Sequence, residues 1–132
     1  KIYDKTEIRI LEQIYLHPGI HKRELSKRLK LGMPSIDYGL QKISKLIKQK
    51  KAGNQINYFL DYSKEALTPS LNTVEHSRFE KLPAKARLSV NDFLKELDEK
   101  PLLAIIFGSY ASGTYTKDSD IDILIITNKR IN

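Results

Sequence analysis

The chain has no cysteine, no tryptophan and a single methionine, and only 8% of its 132 residues are aromatic. Without cysteine there is no disulfide framework, no thiol nucleophile and no thiolate metal site. The three histidines, His17, His21 and His76, are not at metal-ligand spacing and read as surface residues. No apolar run approaches the roughly 20 residues that a membrane helix needs. No secretion signal is visible either, so a cytoplasmic protein is expected. What remains is 40% hydrophobic and 30% charged, the balance of a globular protein of one or two small domains. The chain opens at Lys1 rather than at a methionine and stops soon after an apolar stretch, so a fragment of a longer protein is expected.

The first half is also short of acid. Residues 1–62 hold 13 Lys and Arg against 6 Asp and Glu, whereas residues 63–132 hold 10 of each, so the whole net charge of +7 sits in the first half. A compact basic module joined to a neutral one points to a polyanionic partner for the first. Solubility alone is the plainer alternative.

Hydrophobic spacing divides that basic half into three helices and a ribbon. Residues 6–16 (TEIRILEQIYL) set Ile8, Leu11, Ile14 and Tyr15 on one helical face, with Asp4 or Thr6 as N-cap. His17, Pro18 and Gly19 end that helix, and Ile20 reads as a lone strand residue. A short helix over 22–29 turns Leu25 and Leu29 inward, and Gly32 turns the chain. Pro34 suits the first turn of a third helix, predicted to run to about residue 48 on a stripe of Ile36, Leu40, Ile43 and Ile47. A basic turn over 50–54 precedes a strand over 55–61 (QINYFLD), rich in aromatic and β-branched residues.

In that order, residues 6–62 resemble the winged helix-turn-helix DNA-binding domains of prokaryotic transcription regulators, and RELSKRLKLGMPSIDYGLQKISKL resembles their helix-turn-helix core. The resemblance implies duplex DNA as partner, with the third helix in the major groove and the wing on backbone or minor groove. Ser35, Tyr38, Gln41, Lys42 and Lys45 are the outward candidates. Ser35 and Tyr38 would meet phosphate or base edges and Gln41 would read adenine. Lys42 and Lys45, with Arg23, Arg28, Lys50 and Lys51, would mostly pair with phosphates and make affinity depend on salt. A solvated helix face or a protein-interaction module is the competing reading. A homodimer is compatible with the resemblance, although no heptad argues for it. Gly39 inside the third helix costs about 1 kcal/mol relative to alanine and asks for a reason such as a close backbone approach.

Residues 63–100 read as a helical connector. A first helical pattern is expected to break near Thr68 and Pro69, and Pro83 stops the next run. Residues 84–99 set Leu88, Phe93 and Leu97 on one face, with Val90 and Leu94 beside it.

The tail reads GSYASGTYTKDSDIDILII over residues 108–126. Residues 103–107 and 121–127 are expected to be short buried strands. Alternation along the second would turn Asp120 and Asp122 to one side and Ile121 and Ile123 to the core. Their Cα atoms would lie roughly 6.6 Å apart. Two carboxylates so close repel unless a cation lies between them. Hard Mg²⁺ suits such a pair, because it takes one or two carboxylates and completes its shell with water and substrate phosphates. The Gly108-Ser109 turn would supply backbone N–H groups and a hydroxyl nearby, and a helix starting there would favour phosphate.

Gly108, Ser109, Ala111, Gly113, Ser119, Asp120, Ile121 and Asp122 match the GSxAxGxxxxxSDIDL-type stretch of the minimal nucleotidyltransferases, so residues 102–127 resemble the polymerase-β-type superfamily. That resemblance implies a mixed sheet with helices, two Mg²⁺ ions, and transfer of a nucleotidyl group from an NTP to an acceptor hydroxyl. Asp120 and Asp122 would be the catalytic metal ligands, and Gly108 and Ser109 would grip the β- and γ-phosphates. It also implies a third carboxylate from a later strand, which residues 101–132 do not contain, so weak or absent catalysis is expected of this chain. The plainer reading is a β-turn-β unit with solvated acids.

The fold class expected is therefore α+β: a winged helix-turn-helix at 1–62, a helical connector at 63–100, and at 101–132 the incomplete start of a mixed α/β nucleotidyltransferase sheet. Three functions stay open. The first is a nucleotidyltransferase directed by a DNA-binding domain, with a partner protein as one possible acceptor, as for relatives that act as antitoxins. The second is a transcriptional regulator whose nucleotidyltransferase-like part only binds nucleotide or a partner. The third is a winged helix used for oligomerisation.

Overall fold

The structure, a computed structural model, describes residues 3–129. The last three positions of the expected 101–132 segment lie outside them. The chain forms two compact units, Lys1–Arg78 and Phe79–Asn132. The expected boundaries at 62 and 100 do not coincide with this division.

The first unit begins with helix α1, Lys5–Leu16. Of the two N-cap candidates, Asp4 takes the position. Its carboxylate accepts the Glu7 N–H at 2.8 Å, and the Glu7 side chain accepts the Asp4 N–H at 2.8 Å, a reciprocal capping box. Strand β1, Ile20–His21, leads into α2, Lys22–Leu29, at the predicted bounds. The residue that takes the left-handed turn after α2 is Lys30, with φ 55°, rather than Gly32, which caps α3 in extended backbone.

Helix α3, Met33–Lys42, is shorter than expected. Ile43 closes it, a 3₁₀ turn follows over Ser44–Leu46, and Ile47 already opens strand β2, Ile47–Ala52. The predicted stripe survives that break, since Ile36, Leu40, Ile43 and Ile47 are all buried. Spacing could not reveal the change, because both a helix and a turn-plus-strand place these four residues inward. The residues read as a basic turn lie mostly on β2. β2 pairs with β3, Gln55–Leu60, in a hairpin whose two-residue loop starts at Gly53, φ 62°. A residue with positive φ at that place matches the right-handed twist of the flanking strands. β1 adds to the far side of β3, giving the order β1-β3-β2.

Helix α4, Leu67–Glu80, is continuous. Pro69 does not break it, because it sits in the first turn, where a backbone N–H has no intrahelical partner to lose. Leu67 and Val74 join Ile10, Leu11, Ile14, Leu25, Ile36 and Tyr58 in one core. The Tyr15 hydroxyl is pushed up in pKa mainly by its hydrogen bond to Glu75, which ties α1 to α4. Gly39 has the close approach that its cost demands: a Cβ there would collide with Ile10 Cδ1, so α3 packs against α1 at the glycine.

Asp61 follows β3 as a buried carboxylate. It accepts the Ser63 hydroxyl at 2.6 Å and the Ser63 N–H at 3.1 Å, with Lys48 Nζ 3.7 Å away. The Ser63 hydroxyl contributes most to holding its pKa below the usual carboxylate value. A depressed folded-state pKa gives stability that is present above the unfolded value and is lost as pH falls through the folded one. Asp61→Asn is therefore expected to melt below the wild type at neutral pH. The two melting curves should begin to converge below the ordinary carboxylate value of about 4 and meet only once the pH has passed below the depressed folded-state value. A gap that persists in acid would show that the charge is not the cause.

The second unit holds α5, Ala84–Glu96, and a two-stranded antiparallel sheet of β4, Leu103–Phe107, and β5, Asp122–Ile126, joined through the short α6, Ser109–Ser112. On α5 the buried residues are Ala86 and Val90, while Leu88 and Phe93 are exposed, so the expected inward face is corrected. The expected burial of both strands is also corrected. Leu103, Ile105 and Phe107 of β4 and Leu124 and Ile126 of β5 share one face, each 40–51% exposed. Ile106, Ile123 and Ile125 on the other face are half-buried. A sheet of two strands has too little surface to bury both faces. No described helix is long and apolar enough to cross a membrane.

Candidate functional site

In the first unit, Ile36, Gly39 and Leu40 turn inward from α3 and leave Ser35, Tyr38, Gln41 and Lys42 exposed on its outer side. Lys42 Nζ lies 5.1 Å from the centroid of the Tyr38 ring, one helical turn away. That contact holds the ammonium over the ring face. Lys45 is exposed on the 3₁₀ turn, and Lys50 and Lys51 are exposed on β2. A groove of about 600 Å³ runs between the start of α2, the start of α3 and the hairpin. Arg23 lines it beside His21, Lys22 and Met33, opposite Asn54 and Gln55 of the hairpin.

Arg28 is bonded to neighbours on α2 and at the end of α1. It lies in the last turn of α2, where its guanidinium bonds Glu24 at 2.9 Å and His17 Nε2 at 3.2 Å. Lys22, Asp37 and Lys48 carry no signal in the basic pattern of the sequence, yet each forms an ion pair in the first unit. Lys22 and Asp37 form an ion pair of 2.7 Å between α2 and α3. The signal that marks Asp37 is its place one turn before Gln41 on α3.

In the second unit, the pairing register brings the two halves of the tail motif together. β4 and β5 run antiparallel with Phe107 opposite Asp122, so the residue after Phe107, Gly108, meets the start of β5. Gly108 has φ 73° and ψ −146°, and a Cβ there would run into Asp122 Oδ2. The backbone conformation favours glycine here, and a side chain at this position would displace the Asp122 carboxylate that reaches over it. The chain then makes one helical turn, α6, closed by Gly113 at φ 81°. Ser109 O accepts the N–H groups of Gly113 at 2.9 Å and Thr114 at 3.0 Å. The rings of Tyr110 and Tyr115 stack with centroids 4.5 Å apart across this loop. Ser119 closes a second turn: its hydroxyl accepts the Thr116 N–H at 2.8 Å and its N–H donates to Thr116 O at 3.1 Å.

Two expectations change. α6 has four residues, too short to gather a helix dipole for phosphate. β5 begins at Asp122, so Asp120 lies in the loop before it and strand alternation does not set its direction. Both aspartates are exposed and neither has an ion-pair partner among the described residues. No group of three or more His, Asp or Glu side chains gathers among the described residues. Asp120 and Asp122 are thus two exposed carboxylates, one in the loop before β5 and one at its first residue.

Helix, strand, helix, helix and an antiparallel hairpin, with order β1-β3-β2, define a winged helix in the first unit. The tail carries a strand, a Gly-Ser turn and an Asp-x-Asp strand. A family model described as the nucleotidyltransferase domain matches residues 89–132. Among solved structures, the chain is similar to a MarR family transcription regulator, with 20% identity over 71% of this chain and 73% of that one and a TM-score of 0.49. It is similar to a MarR transcriptional regulator from Methanosarcina mazei, with 18% identity over 68% and 66% and a TM-score of 0.48. It is also similar to a ZitR variant from Lactococcus lactis in complex with DNA, with 16% identity over 71% and 72% and a TM-score of 0.46. No curated protein sequence matches the chain. The chain thus joins a winged helix to a segment, residues 89–132, that matches the nucleotidyltransferase domain model.

Proposed function

We propose that the protein is a DNA-binding regulator carrying a metal-dependent nucleotidyltransferase module, which transfers NMP from an NTP to an acceptor hydroxyl. The observation that carries the second half is the meeting of Gly108 and Asp122, since a phosphate-gripping turn is useful only beside the carboxylates that hold the cation. Asp120 and Asp122 would hold Mg²⁺, which would neutralise the triphosphate and draw charge from the α-phosphate when bound. Gly108 lets the Asp122 carboxylate close over the turn, and the Ser109 hydroxyl and N–H would donate to the β- and γ-oxygens. Catalysis would then rest on aligning the acceptor hydroxyl with the α-phosphate. The acceptor is a hydroxyl of a partner, a protein side chain included.

The DNA half rests on the confinement of the net charge of +7 to residues 1–62 and on the exposed Lys42, Lys45, Lys50 and Lys51 around α3 and the hairpin. A second reading, a regulator whose nucleotidyltransferase-like part binds nucleotide without turning it over, is favoured by the aspartates standing as a pair with no third ligand among the described residues. Titration with NTP and Mg²⁺ tests both. Wild type is expected to bind only with the metal, and Asp120→Ala/Asp122→Ala is expected to lose that binding at least tenfold. Equal binding by both proteins would remove the aspartates from the site, and binding without transfer to any acceptor would select the second reading.

A further inference from the structure

α3 carries one acidic residue, Asp37, on a surface otherwise rich in cations. Its Oδ1 lies 2.7 Å from Lys22 Nζ while its side chain remains 53% exposed. Stability explains the placement poorly, because an exposed ion pair contributes little. Non-specific DNA affinity explains it less, since a carboxylate opposes phosphate. A carboxylate on a helix lying in the major groove suits one task, accepting a hydrogen bond from an exocyclic amine.

We propose that Asp37, held by Lys22, is a specificity-determining residue that selects cytosine in the bound duplex. This inference rests on the DNA-binding reading above. Among the bases, cytosine offers its N4 amine alone in the major groove. Guanine offers two acceptors there and thymine one, which a carboxylate repels, and adenine sets its N7 acceptor beside the N6 donor. Lys22 occupies one carboxylate oxygen, leaving Oδ2 as the acceptor for the base. The same hydrogen bond raises the Lys22 pKa, so the ammonium that orients Asp37 stays charged.

Position on the helix adds a second constraint. Gln41 lies one turn beyond Asp37, about 6 Å along the axis. At about 3.4 Å per base pair, the cytosine and an adenine read by Gln41 fall within about two base-pair steps of each other.

The test is selection of duplexes from a randomised library by the 132-residue chain, followed by affinity measurements at fixed salt. Wild type is expected to enrich a cytosine near an adenine, and changing that cytosine should weaken binding about tenfold. Asp37→Asn should lose the preference for cytosine while binding unrelated duplex as tightly as wild type or more so, having shed a negative charge. Lys22→Met keeps the carboxylate but removes the group that orients it, so it should still enrich cytosine, less sharply than wild type and more than Asp37→Asn. Identical motifs from wild type and Asp37→Asn would overturn the inference and leave the pair a structural tie. A wild type that binds duplex without enriching any motif would also overturn it. Failure to bind duplex even at low salt would sink the DNA-binding reading itself.

Discussion

Gly108→Ala is expected to abolish metal-dependent NTP binding, as completely as removal of both aspartates. Two costs add at this position. The backbone, at φ 73° and ψ −146°, lies where L side chains are rarely found, and forcing one there costs of order 1–3 kcal/mol. The new methyl group also takes the space of Asp122 Oδ2, so the carboxylate must swing away from the turn it faces. Gly113→Ala separates the two effects. Gly113 also has positive φ, 81°, but a Cβ there meets nothing within 4 Å. It should lose stability by about 1–2 kcal/mol and retain most nucleotide binding. Equal loss in both variants would mean that strain in the loop, rather than the meeting of Gly108 with Asp122, controls the site.

The second large effect belongs to the winged helix. Ile36 is fully buried at the inner face of α3. Truncating it removes apolar contacts in a core where α1, α2 and α3 meet, and Ile36→Ala is expected to destabilise the first unit by about 2–5 kcal/mol. DNA affinity at temperatures near the lowered melting point should fall with it, because α3 loses its seat. The chain has no tryptophan, so the measurement is denaturant unfolding followed by circular dichroism or tyrosine fluorescence. A loss below about 1 kcal/mol would mean that the surrounding residues close around the space.

Much of the winged helix was legible because its signals are local. Ile8, Leu11 and Ile14, or Leu25 and Leu29, face one way at any helix of their spacing. The bounds of α2 followed from that alone. The end of α3 was not legible. Ile43 and Ile47 fit a longer helix as well as they fit a turn and a strand, and the choice is made by pairing of Ile47 with Leu60, thirteen positions on. The inner face of α5 was misjudged for a similar reason. Leu88 and Phe93 are larger and more apolar than Ala86, but size does not say which side of a helix finds a neighbour.

The candidate nucleotide site divides in the same way. Gly108, Ser109, Asp120 and Asp122 could be named from residue type and order, since phosphate turns need glycine and hard cations need paired carboxylates. That Asp122 lies over Gly108, and that Asp120 sits outside β5, depend on the register of two strands separated by a loop. On the basic surface of the first unit, the sequence by itself determined where the charge excess lies and that Ser35, Tyr38, Gln41 and Lys42 point outward. Only the tertiary structure brought Arg28 to His17 and set Lys22 against Asp37. Composition and periodicity act within a few residues, whereas an ion pair between α2 and α3 needs both helices packed on one core before its partners meet.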